Sequence, residues 1–352
     1  MPVGMLSVRQ PAVGGDIRAM MSDPRFFSRN LAAAAVLAAL AAPALAQPDM
    51  GEWLDGRLGR RQVTADYGAS FYFRQDTDQP GRRLNMEEHD LRFSAPIVQD
   101  ETREWSLSAG LRVLDLHTGA RLPDTAETFP DALYDVRVGT TYRFRLRDSW
   151  LAGVNLTVGS PSDRPFHSAD EWSVQAAGFL KVPHGEHGAW VFLLQYANQR
   201  EFLPHVPLPG IAYSWRPSDR LHTIVGLPFA SVRWKPADAV TLSGSYFIPR
   251  TVHLKAAWQC APGTDLYLGF DWDHQTYFRA GRPDGDDRFF YYEKRVALGV
   301  RRELGRNVWV DVTGGYAFDR FFFEGEDYDE RGDNRVDVAD GPFAGVRVGL
   351  RF

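Results

Sequence analysis

Apolar and polar residues alternate with a period of two along most of this chain. Between Leu133 and Leu146 the even positions are Tyr134, Val136, Val138, Thr140, Tyr142, Phe144 and Leu146, while the odd ones are Asp135, Arg137, Gly139, Thr141, Arg143 and Arg145. One face is apolar and the other charged, as in a half-buried β-strand. Leu266, Leu268, Phe270 and Trp272 stand in the same way against Asp265, Tyr267, Gly269, Asp271 and Asp273, and 308–318 repeats the split with Trp309 as the exception. No stretch carries the 3.6-residue period of an amphipathic helix. The reading is all-β, with about sixteen strands near residues 63–74, 88–98, 104–115, 132–146, 150–159, 171–182, 189–199, 210–216, 220–226, 229–235, 239–247, 251–260, 264–275, 288–302, 307–318 and 336–352.

The connections between these segments alternate in length. Counting back from the last strand, every second one is tight (302–306, 260–263, 236–238, 217–219, 183–188, 147–149 and 98–103), and most of the others are long. Short periplasmic turns facing long extracellular loops are a property of transmembrane β-barrels, not of an arbitrary sandwich. Trp215-Arg216-Pro217-Ser218-Asp219 and Trp234-Lys235-Pro236-Ala237-Asp238 form a weak hairpin repeat, with tryptophan entering each turn. Trp105, Trp150, Trp190 and Trp258 also flank tight turns, the placement of an aromatic girdle at one membrane boundary. Val348, Leu350 and Phe352 close the chain as alternating apolar residues ending in an aromatic, which resembles the assembly signal of outer-membrane barrels. The expected architecture is a transmembrane antiparallel up-and-down barrel over 63–352, of twelve to sixteen strands. A soluble periplasmic sandwich or propeller is the alternative.

Composition removes other classes. With 44% hydrophobic residues the chain is too apolar for disorder, and its single cysteine, Cys260, cannot build a disulfide framework. No run of 18 apolar residues follows residue 46, so a helical span is excluded. The net charge of −5, with arginines and aspartates interspersed, gives no basic tract for nucleic acid. Ahead of the strands, Arg25 and Arg29 precede the apolar stretch 31–42 and the small-residue pattern Ala44-Leu45-Ala46. Residues 1–46 therefore read as an N-terminal extension plus a signal peptide cleaved after Ala46, with 47–62 a short periplasmic segment.

The segment from Pro209 to Pro236, with Tyr292-Glu293-Lys294-Arg295 and the Phe352 end, resembles a family of Gram-negative outer-membrane β-barrels known only as a domain of unknown function. The resemblance implies fold and location, and brings no activity and no functional residues.

Chemistry must then come from the residues. No Gly-x-Ser-x-Gly elbow, phosphate loop or Cys-rich metal site occurs. His184 and His187 flank Glu186 in a tight turn and read as solvated. The acidic residues Asp284, Asp286, Asp287, Glu324, Glu326, Asp327, Asp329, Glu330 and Asp333 fall in long loops, where solvation is the default and divalent-ion bridging to lipopolysaccharide phosphates the sharper reading. No cofactor, catalytic residue or metal ligand is assigned. The polar faces carry Arg92, Arg112, Arg137, Arg143 and Arg145 early in the chain, and Asp265, Asp271, Asp273, Glu293 and Asp311 late in it. On opposite walls these would line a lumen and set a transverse field for small polar solutes. Alternatively they pair with neighbours such as Asp90, Asp135, Arg295 and Arg301 and stiffen the interior. Since barrels of sixteen strands generally leave an aqueous channel, the expected function is a passive channel or transporter for small solutes, not an enzyme. The alternatives are a non-conducting structural or adhesive barrel acting through acidic loops, and a lipid-modifying barrel enzyme. Expected partners are outer-membrane lipids, lipopolysaccharide, the assembly machinery and small solutes.

Overall fold

The computed structural model describes Trp53, Leu54 and residues 58–352, apart from 148, 201, 202, 249 and 333; the extension and signal peptide expected over 1–46, the expected cleavage after Ala46 and Asp333 lie outside the described residues. The strands are β1 (Thr64–Asp76), β2 (Arg83–Gln99), β3 (Arg103–Thr118), β4 (Ala132–Arg145), β5 (Leu151–Ser162), β6 (Ser173–His184), β7 (Gly188–Ala197), β8 (Leu208–Ser218), β9 (Leu221–Leu227), β10 (Phe229–Ala237), β11 (Val240–Phe247), β12 (Thr251–Ala261), β13 (Thr264–Tyr277), β14 (Arg288–Glu303), β15 (Val308–Gly325), β16 (Arg335–Val338) and β17 (Gly341–Arg351). Each strand is antiparallel to its chain neighbour. β16 and β17 share one place in the wall, since both pair with β15. β17 then pairs with β1 from Thr64↔Arg351 to Tyr72↔Phe343, which closes a barrel of sixteen positions. Closure removes the sheet edge, whose unpaired N–H and C=O groups the hydrocarbon could not satisfy.

The period-two pattern explains the two faces. Val138, Val154, Val225, Leu254, Leu268, Leu298 and Val312 point outward and are exposed, so the protein spends its apolar side chains on lipid rather than on a core. Trp105, Trp190, Trp215, Trp234 and Trp258 are also exposed outward, each near a tight turn. Trp309 breaks the alternation because it faces inward, over Gly349, where a Cβ would lie 2.2 Å from the indole ring. The seven turns on the tryptophan side are two to five residues long, which fixes the orientation expected from the sequence. The chain turns at Pro228 in a hairpin: β9 and β10 pair across it, with Ala230 opposite Val225.

Strand lengths differ sharply around the wall. β9 to β12 have 7, 9, 8 and 11 residues, whereas β13, β14 and β15 have 14, 16 and 18. About 9–11 residues span a bilayer, so β13 to β15 rise well beyond it on the long-loop side. This projection leans across the barrel mouth. Phe278, just past β13, donates its N–H to Pro161 O (2.8 Å) and accepts from Asp163 N–H (3.1 Å), although β5 stands eight positions away on the opposite wall. Arg279 locks the flap through a bidentate pair with Glu324 (2.6 Å to each oxygen) and a further contact with Glu127. Beneath it, Tyr72, Met86, Leu116, Phe289 and Phe322 meet Leu122 and Phe129 from the β3–β4 connection in a buried apolar cluster, so much of the extracellular half is filled. A second cluster fills the interior beside β6 to β10, where Phe179, Val191, Leu193 and Ile224 enclose Trp53 and Leu54. The segment expected in the periplasm at 47–62 thus has two residues inside the wall.

Candidate functional site: a charged passage along one wall

Between the two filled regions a cavity of about 1180 Å³ remains. Its lining runs the height of the shortest strands, from Phe229, Phe247 and Thr251 at the extracellular ends of β10 to β12 down to Lys235, Asp238 and Gln259 by the periplasmic turns. The short strands are joined at their extracellular ends by one- and three-residue connections, at 228 and 248–250. Small side chains keep it open: Ser231, Ser243, Ser245, Gly269 and Ala297 all face it.

The lining is strongly biased in charge. Eight Lys or Arg side chains stand against four aspartates, in a chain whose overall charge is −5. A low-dielectric wall focuses such a field into the lumen. The carboxylates are mostly engaged locally. Asp238 accepts from Arg220 (2.6 Å), Asp271 from Arg295 (3.0 Å), and Asp311 from the Tyr267 hydroxyl (2.6 Å). Asp265 lies directly opposite Arg301 in the β13–β14 register. Arg233 and Lys235 form no ion pair among the described residues, and Lys255 rests over the Tyr267 ring at 3.7 Å.

Of the ten interior charges anticipated from the sequence, Arg92, Asp265, Asp271 and Asp311 border the cavity. Arg92 pairs with Asp90 (2.7 Å), Arg112 with Glu88 (3.3 Å) and Asp90 (3.4 Å), and Arg137 with Asp135 (2.6 Å). Arg143 is fully buried, bonded to Glu104 (2.8 Å) and to the Trp53 carbonyl (3.1 Å), while Arg145 is exposed at the periplasmic end of β4. Glu293 is sealed in a network, accepting from the hydroxyls of Tyr72 and Tyr291 (2.7 Å each) with Arg295 at 3.4 Å and Arg320 at 3.8 Å. Asp273 lies 3.6 Å from Arg295. The expected transverse field between these two sets is not what they build. Closure through β17 and β1 leaves β2 only three positions from β15, and Arg295 comes within 3.9 Å of Glu88 on β2. Charges so close pair locally instead of facing each other across water.

The remaining candidates resolve simply. His184 bonds the Tyr213 hydroxyl (3.2 Å) and His187 sits 4.0 Å from Glu186 in its turn. The loop acids mostly serve their own backbone: Asp327 accepts from Asp329 N–H (2.7 Å) and Glu330 from Glu326 N–H (2.9 Å). Burial and the nearby Asp284 raise the Asp287 carboxyl above its ordinary pKa. Among the described residues, metal-ligand spacing occurs at His253, Asp271 and Asp273, where Arg295 already holds the outer oxygens of both aspartates. The C-terminal Val348, Leu350 and Phe352 point outward, and Phe352 exchanges backbone hydrogen bonds with Val63 (3.1 and 2.9 Å). Sequence reasoning passed over Arg233 and Lys235, although Ser231, Arg233 and Lys235 alternate with Ala230, Val232 and Trp234 in plain view.

No family model matches the chain, and no curated protein does. Similar solved structures include an outer membrane channel from Pseudomonas putida F1, at 11% identity over 88% of this chain and 100% of that one with a TM-score of 0.40. Pseudomonas aeruginosa OccK7 (OpdD) is 14% identical over 83% of this chain and 100% of its own, TM-score 0.35. The translocator domain of the autotransporter NalP from Neisseria meningitidis is 12% identical over 95% and 100%, TM-score 0.31. Likeness at this level assigns neither a function nor a site. The closed sixteen-position barrel with its lipid-facing belt is that of an outer-membrane protein.

Proposed function

We propose that this outer-membrane barrel is a narrow passive passage for small solutes, and that the path runs along the inner face of β10 to β12. The observation that carries the proposal is the continuous charged cavity lined from the extracellular to the periplasmic ends of these strands. A purely structural barrel would gain stability by filling this space, since unfilled interior forfeits packing. Instead, small and charged side chains border it. The flap over β13 to β15 and the two apolar clusters narrow the lumen, so the passage admits small solutes and rejects large ones. A second reading, a non-conducting structural barrel, draws on the same filled extracellular half.

Proteoliposome swelling separates the two. With folding checked by heat-modifiable gel mobility, vesicles carrying the barrel should swell in an isotonic pentose faster than in a trisaccharide. Swelling no faster than protein-free vesicles in either sugar would leave the structural reading standing.

A further inference from the structure

One row of the wall gathers three basic side chains and a histidine on its inner face. Cross-strand register puts His222 on β9 opposite Arg233 on β10, Arg233 opposite Ser243 on β11, and Ser243 opposite Lys255 on β12. Arg216 on β8 joins the row through His222, its Nη2 lying 3.4 Å from the imidazole Nδ1. All five residues border the cavity. The row ends on Gly269, the cross-strand neighbour of Lys255, and Ala297 beyond it, small residues that leave space beside Lys255. An arc of hydrogen-bond donors thus spans five adjacent strands around open space.

Local chemistry fixes the arc's polarity. A guanidinium can only donate, so His222 Nδ1 accepts from Arg216. The Nε2 of the same ring lies 3.1 Å from Ser214 Oγ. His222 thus stands between Ser214 and Arg216 in the row. Among the described residues Arg233 forms no ion pair, and Lys255 rests on the Tyr267 ring with Asp311, Asp265 and Asp271 acting on it only at longer range. Guanidinium groups match the planar edge of a carboxylate or phosphate with two parallel hydrogen bonds.

We infer that the arc Arg216, His222, Arg233, Ser243 and Lys255 is a binding site for oxyanions, of the phosphate or multiply charged carboxylate class, part-way along the passage. The inference rests on the proposed passage only in needing water to reach the cavity, and equilibrium binding tests it without any flux. Inorganic phosphate titrated calorimetrically into the barrel in neutral detergent should bind at one saturable site. Arg233→Ala and Lys255→Ala should each weaken it by about tenfold or more, the size of a lost charge-assisted contact, with Arg233→Lys intermediate. Arg306→Ala, in the periplasmic turn after β14, should change nothing. Absence of saturable binding, or affinity unmoved by Arg233→Ala in a barrel of normal heat-modifiable mobility, would overturn the site. Phosphate binding by a barrel that passes no sugar would sink the passage and keep the site. Sugar flux without saturable phosphate binding would do the reverse.

Discussion

Ser243→Trp should sharply reduce solute flux while leaving the barrel folded. Ser243 faces the cavity between Arg233 and Lys255, level with the recess at Gly269, so an indole projecting there meets open space rather than a packed wall. The flanking cations would hold the ring in place by stacking against its face. Pore radius controls conduction, so sugar swelling rates should fall about tenfold or more. Ser243→Ala, which removes the hydroxyl and keeps the space, should swell at the wild-type rate. Undiminished flux through a folded Ser243→Trp barrel would mean that solutes cross elsewhere.

The second large effect is on stability. Glu104 and Arg143 form a fully buried ion pair at the base of the interior, with side-chain exposures of 0% and 1%. Glu104 also holds Arg61 (2.7 Å), and Arg143 reaches the Trp53 carbonyl. Glu104→Ala therefore takes the carboxylate from a guanidinium that is shielded from water and keeps its bond to the Trp53 carbonyl. Removing one partner of a buried pair costs about 3–5 kcal/mol, because the surviving charge stays desolvated. Urea unfolding in detergent, followed by the loss of heat-modifiable mobility, should show a loss of that size. A cost below about 1 kcal/mol, the range of exposed pairs, would mean that water reaches Arg143.

The barrel was legible in the sequence because membrane strands have a rule that acts residue by residue. Val138 and Leu298 must face lipid, so their neighbours Arg137 and Ala297 must face inward, and the period of two follows. Turn chemistry at Pro217 and Pro236 and the tryptophans beside it set the orientation for the same local reason. Which inward charges meet was not legible. Arg112 and Asp90 are 22 positions apart, and only the β2–β3 register brings them together. The belief that early arginines face late aspartates across a lumen failed on closure, a property of the whole sheet that no single strand reveals. The flap was hidden similarly: Phe278 and Pro161 carry no mark of their pairing, which arises because β13 outgrows the membrane while β9 to β12 do not. The cationic row was visible in part, through Arg233, but its composition depends on four successive registers.

The central claim is that a water-filled path crosses this barrel along β10 to β12. Single-channel recording of the purified protein in planar bilayers tests it most directly, with insertion verified by recovering folded barrel from the membrane. In a potassium chloride gradient the account predicts discrete small current steps, a reversal potential displaced toward that of chloride, and a shift toward potassium with Arg233→Glu. A flat baseline from verified, inserted barrel would contradict it.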